Sequence, residues 1–136
     1  MKNPTAASSK TDPEANKALV RRAFDLINIE RRIDEAIDTY FASDFIEHDP
    51  SSASGAEAMR TFFKQFFKDY PEAKTEVKRV VAEGDLVVVH FRGRMRPEDR
   101  GVAVMEIFRV ADGRLAEHWQ VLQEIPEKSL NDNGMF

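Results

Sequence analysis

The chain has 136 residues, enough for a single domain with a core of its own. Hydrophobic residues make up 42% and charged residues 32%, and a net charge of −4 without any basic block excludes a chiefly electrostatic nucleic-acid binder. No cysteine is present, which excludes disulfides, thiolate nucleophiles and thiolate metal ligands, and no apolar run is long enough to span a membrane.

Met1–Lys10 is polar and small-residue rich and lacks the apolar stretch of a secretory signal. A disordered leader over residues 1–12, a single domain over 13–126 and a polar tail over 127–136 are expected, in a cytoplasmic protein. Asp12-Pro13-Glu14 announces the first helix with a cap, a first-turn proline and an acid at the positive end of the dipole. Val20, Ala23, Phe24 and Ile27 follow at helical spacing, widened by Leu19 and Leu26. A shorter helix carries Ile33, Ala36, Ile37 and Tyr40 at the same spacing.

Asp44–Pro50 reads as a short extended segment ended by proline. Ser54, with Glu57 three residues on, predicts a capping box for a third helix. That helix carries Met59, Phe62, Phe63, Phe66, Phe67 and Tyr70 as one stripe, read mainly as core with one or two rings on a pocket wall. Pro71 stops it.

Four strands follow. Ala73–Ala82 is expected to place Thr75, Val77 and Val81 on one face, and Glu83-Gly84-Asp85 turns the chain back. Leu86–Met95 is rich in β-branched residues, with Gly93 as a candidate bulge. Arg96–Gly101 reads as a solvated charged loop. Gly101–Gln123 then forms two strands joined at Ala111-Asp112-Gly113, a hairpin signature. Helices first and a strand meander afterwards predict an α+β fold.

The hairpin carries the candidate site. Alternation puts Val104, Glu106 and Phe108 on one face, and Ala116, His118, Gln120 and Leu122 on one face of the next strand. A carboxylate, an imidazole and an amide among apolar neighbours need a partner, a water or a ligand. Burial of Glu106 disfavours its ionised form, the direction that suits a general base; the structural alternative pairs it with Arg92, Arg94 or His118. His118 is a candidate acid, base or donor. His90 reads as a neighbour of the same pocket, His48 and Asp49 as residues of its mouth, and Val104 and Phe108 as its apolar wall. No close-spaced ligand pair supports a metal. The opposite faces carry Met105, Ile107, Leu115, Trp119 and Val121, and three helices cover only one side of a sheet. A homodimer through the outer sheet face is the expectation.

The segments Phe45-Ile46-Glu47-His48-Asp49-Pro50, Gly101–Val110 and Gly113–Val121, behind three helices, resemble the SnoaL-like group of the nuclear transport factor 2-like superfamily. The resemblance runs from about Glu14 to Phe136. It implies a cone-shaped α+β barrel (helices on a curved, mostly antiparallel sheet) around a deep apolar pocket. The group includes polyketide cyclases and predicted aldol-condensation enzymes, which implies acid/base chemistry on an apolar carbonyl compound without metal or organic cofactor. Relatives often read Glu-His-Trp-Asp where this chain has Glu117-His118-Trp119-Gln120, their carboxylate acting as acid/base. An amide cannot move a proton near neutral pH, so Gln120 is confined to orienting a carbonyl or hydroxyl. Glu106 and His118 are therefore the candidate catalytic pair. The rival reading, favoured by Gln120, is a non-catalytic ligand-binding or protein-interaction module on the same fold.

Overall fold

The structure, a computed structural model, describes residues 11–136. Residues 1–10 of the expected leader lie outside the described residues. Helix α1 spans Pro13–Asn28, and the Asp12 carboxylate accepts the N–H groups of Glu14 and Ala15 at 3.1 Å, satisfying donors that the helix itself leaves unpaired. Helix α2 spans Ile33–Tyr40 and runs straight into strand β1, Phe41–Glu47, three residues earlier than the expected extended segment. Helix α3 spans Ala56–Asp69.

The expected capping box at α3 does not form. The Ser54 hydroxyl instead donates to the Phe45 carbonyl and accepts the Glu47 N–H, both at 3.0 Å, so it ties the loop to β1. The cap position falls to Gly55 at φ 99°, a conformation that a side chain resists.

Strands β2 (Lys74–Glu83), β3 (Leu86–Arg94), β4 (Val102–Ala111) and β5 (Arg114–Glu124) form the expected antiparallel meander. Strand β1 adds to β5 in parallel, giving the order β1-β5-β4-β3-β2. The sheet is curved and open, since β1 and β2 are its two edges. Asp112 and Gly113 turn the β4–β5 hairpin with φ of 52° and 71°, the left-handed pair that matches strand twist.

Two bulges reassign faces. Val77 pairs with Phe91 but Arg79 pairs with His90, so Lys78 is the extra residue. Val80 and Ala82 therefore join Val77 against the core, while Val81 is 57% exposed. The bulge lies on β2 rather than at Gly93, whose pairing with Val102 is regular. On β5, Arg109 pairs with Glu117 and Val110 with Leu115, which makes Ala116 the extra residue. Leu115 consequently points into the core instead of outward.

The core lies between the helices and the inner sheet face. Val20, Phe24 and Leu26 of α1 and Ile37 of α2 meet Phe45, Val87, Val89, Phe108 and Leu115, all buried. On the other face, the tail returns to the sheet, and the Phe136 ring lies 5.4 Å from the His90 ring. No helix among the described residues is long and apolar enough to cross a membrane.

Candidate active site

The inner face of β4 and β5 borders two neighbouring spaces. The larger is a cleft of roughly 660 Å³, within the range of small-molecule sites. Val104, Gln120 and Leu122 form its sheet wall, and Phe62, Phe63, Phe66 and Phe67 of α3 form the facing wall. The α3 rings are thus chiefly cleft wall, with Ala56 and Met59 as that helix's buried residues. The β3–β4 loop is not simply solvated, because Glu98, Asp99 and Arg100 line the cleft rim. Asp49 and Ser51 line the same cleft.

The smaller space is an interior chamber of about 70 Å³, large enough for a carbonyl group or a pair of waters. Asn28, Phe63 and Phe91 border both spaces, so the chamber and the cleft are neighbours. Its polar side chains are Asn28, Glu47, Glu106 and His118, and its apolar walls include Phe45 and Phe108.

Strand register brings these groups together. Phe108 faces His118 and Glu106 faces Gln120 across the β4–β5 ladder, while Glu47 at the end of β1 is in register with His118. His118 Nδ1 donates to Glu47 Oε1 at 2.7 Å, and the same oxygen accepts the Asp49 N–H at 2.9 Å. His118 Nε2 lies 3.4 Å from Glu106 Oε1, without the alignment of a hydrogen bond. Nε2 is fully buried and has no other hydrogen-bond partner among the described residues. The side chains of Glu47, His118 and Glu106 are only 3%, 8% and 13% exposed.

Burial alone pushes the His118 pKa down, but the Glu106 and Glu47 carboxylates outweigh it and raise the pKa from 6.5 to about 10. At neutral pH His118 is therefore an imidazolium between two carboxylates. It offers a proton rather than a lone pair, so it suits neither a general base nor a metal ligand. Among the described residues no cluster of three or more potential ligands has metal-holding geometry.

The arginines named as structural partners of Glu106 are engaged elsewhere. Arg92 donates to the Arg100 carbonyl and Arg94 to Glu76.

Two expected pocket residues are not in the pocket. His90 is on the outer face, because β3 alternation sends Val87, Val89 and Phe91 inward. There it contacts Arg79 and Phe136, and burial followed by the Arg79 charge lowers its pKa. His48 also turns outward, one residue beyond the inward Glu47. Its ring stacks on Trp119 at 5.0 Å, and its Nε2 donates to Glu117 Oε2 at 2.8 Å.

Glu47 is a site residue that the sequence alone does not single out. Its signal is the alternation from Phe45, since a strand that buries Phe45 turns Glu47 to the same side.

A family description for the SnoaL-like domain matches residues 20–118. The chain belongs to the SnoaL-like domain family. The matched stretch contains Glu47, Glu106 and His118 and stops short of Gln120. Solved structures similar to this SnoaL-like chain include a candidate ketosteroid isomerase from Kribbella flavida, at 22% identity over 90% of this chain and 88% of that one, with a TM-score of 0.73. TsrD from Streptomyces laurentii is 21% identical over 83% of this chain and 91% of its own, with a TM-score of 0.68. A candidate polyketide cyclase from Bacillus cereus is 20% identical over 79% and 74%, with a TM-score of 0.65. At these identities the likeness establishes the nuclear transport factor 2-like fold. A search of curated proteins finds no match.

Proposed function

We propose that this SnoaL-like domain is a cofactor-free acid/base enzyme acting next to the carbonyl of a largely apolar compound. The observation that carries the reading is the buried, unsatisfied Nε2 of His118, beside Glu106 in a chamber next to an aromatic-walled cleft. The Glu106 carboxylate removes a proton from the carbon beside the carbonyl, and the C–H electron pair passes into an enolate. His118 Nε2–H donates to the enolate oxygen where negative charge develops. Glu47 holds the imidazolium from its other side. Gln120, on the cleft side of Glu106, orients the substrate through its amide. The enolate then takes a proton at another carbon, attacks a second carbonyl or expels a leaving group. These outcomes correspond to isomerisation, aldol closure and elimination.

Deuterium uptake tests this reading without knowledge of the natural substrate. A panel of cyclic and aromatic ketones in D₂O, followed by NMR, is expected to exchange the hydrogens beside the carbonyl faster with protein than with buffer. Glu106→Gln is expected to remove at least 100-fold of that acceleration, in line with about 10²–10⁴ for a positioned base. Exchange that persists in Glu106→Gln removes Glu106 from the role. Binding of the panel with no exchange favours the rival, a ligand-binding module, which the non-titrating amide of Gln120 supports.

We also infer that two copies associate through the outer sheet face. Ile46, Met105 and Val121 are 43%, 39% and 70% exposed there, a run of apolar surface beside Trp119. Val121→Lys is expected to convert a dimer to a monomer in sedimentation; a wild-type monomer would refute the inference.

A further inference from the structure

The dipeptide Glu-His occurs twice, as Glu47-His48 and Glu117-His118. Parallel pairing of β1 with β5 places the two copies side by side, with Glu47 in register with His118. Alternation then sends one histidine–carboxylate pair to each face of the sheet. Glu47–His118 faces the chamber, and His48–Glu117 faces outward.

The outer pair is well supported. Glu117 also receives Arg109 Nε at 3.0 Å, and His48 together with Arg109 holds its carboxylate below the usual range. The His48 ring lies 3° from parallel with the Trp119 indole. Strand β1, by contrast, has a sheet neighbour on one side alone. It is an edge strand, its register with β5 is interrupted between Phe41 and Ile46, and Glu47 is its last residue. The other side-chain and loop ties on Glu47 come from Ser54 and the Asp49 N–H, and the backbone N–H of His48 donates to the His118 carbonyl at 3.0 Å. At this end of β1, among the described residues, the polar side-chain links to β5 are the inner pair and the outer pair, and the Phe45 ring stacks on His118 at 6.4 Å.

We propose that His48 is a positioning residue, whose outer-face clamp on Glu117 and Trp119 holds the end of β1 so that Glu47 stays against His118. The role rests on the acid/base reading only for its catalytic consequence; the geometric consequence is independent of it. Without the clamp, the end of β1 is left to its backbone bonds, the Glu47 carboxylate loosens from His118, and burial lowers the proton affinity of the imidazole.

The test is the imidazole titration of His118, followed by NMR on the full chain without substrate. In His48→Ala the His118 midpoint is expected to fall by about one pH unit or more, a tenfold change in proton affinity. His48→Gln, which keeps a donor at the right length for Glu117, is expected to restore most of the wild-type midpoint. An unchanged midpoint in folded His48→Ala overturns the proposal, as does an equal drop in both variants. If His48→Ala does not fold, Glu117→Gln serves instead, with a lowered midpoint in support and an unchanged one against. Failure of ketone exchange would sink the acid/base reading and leave this titration standing.

Discussion

The strongest consequence of the Glu47–His118–Glu106 arrangement is a dependence of stability on pH in the alkaline direction. His118 binds its proton more tightly in the folded chain, at about 10 against 6.5 for the free imidazole. A raised folded value stabilises fully below the unfolded pKa, and the benefit is lost as pH rises through the folded one. Between pH 6.5 and 10 the unfolded chain releases this proton while the folded chain keeps it. Unfolding free energy therefore slopes downward by about 1.4 kcal/mol per pH unit, on the order of 5 kcal/mol across the window. That is a large share of the ~5–15 kcal/mol that holds a typical domain together. Urea unfolding followed by Trp119 fluorescence at about pH 7, 8 and 9 reads the slope before lysines and tyrosines begin to titrate. Glu47→Gln leaves His118 one carboxylate, and its slope is expected to level off at a lower pH. Flat stability across that range in the wild type would show that His118 is neutral and would remove the imidazolium from the mechanism.

Further substitutions probe the frame. Gly101 has φ 89°, and a Cβ there would sit 2.3 Å from the Gly93 carbonyl oxygen, so Gly101→Ala is expected to cost more than about 1 kcal/mol in urea unfolding and to deform the cleft rim. Leu26 is fully buried under the sheet, and Leu26→Ala is expected to lose about 2–5 kcal/mol by the same assay. Asp12→Ala removes the two cap bonds of α1 and is expected to cost about 1 kcal/mol, read as a lower thermal midpoint.

The elements with a strong local pattern are legible in the sequence itself. Asp12-Pro13-Glu14 starts α1, Pro71 follows the end of α3, and Asp112-Gly113 turns the hairpin, because each depends on backbone preferences within a few residues. The faces are less legible. A bulge adds one residue to a strand without a sequence mark, so Lys78 and Ala116 each reverse the alternation beyond them. Simple alternation misplaces Val81 and Leu115 for that reason alone. Gly93 has the residue type of a bulge but pairs regularly, and it is the missing Cβ of Gly101 that allows the close approach to the Gly93 carbonyl at the rim of the cleft.

The site divides along the same line. Glu106, His118 and Gln120 lie on one hairpin, but counting from its two-residue turn opposes Glu106 to Trp119; the Ala116 bulge shifts the register by one and sets Glu106 opposite Gln120. Glu47 joins them only through a parallel pairing with a strand about seventy residues away. Nothing local specifies that partner, so the sequence points to a pair where the fold builds a triad. The third group adds to the effect of the second. Glu106 and Glu47 together outweigh burial and raise the His118 pKa, so the imidazole holds its proton and serves as a donor, which leaves proton abstraction to Glu106. The parity that turns Glu47 inward also turns His48 outward, so the histidine expected at the pocket mouth instead belongs to the clamp behind the strand.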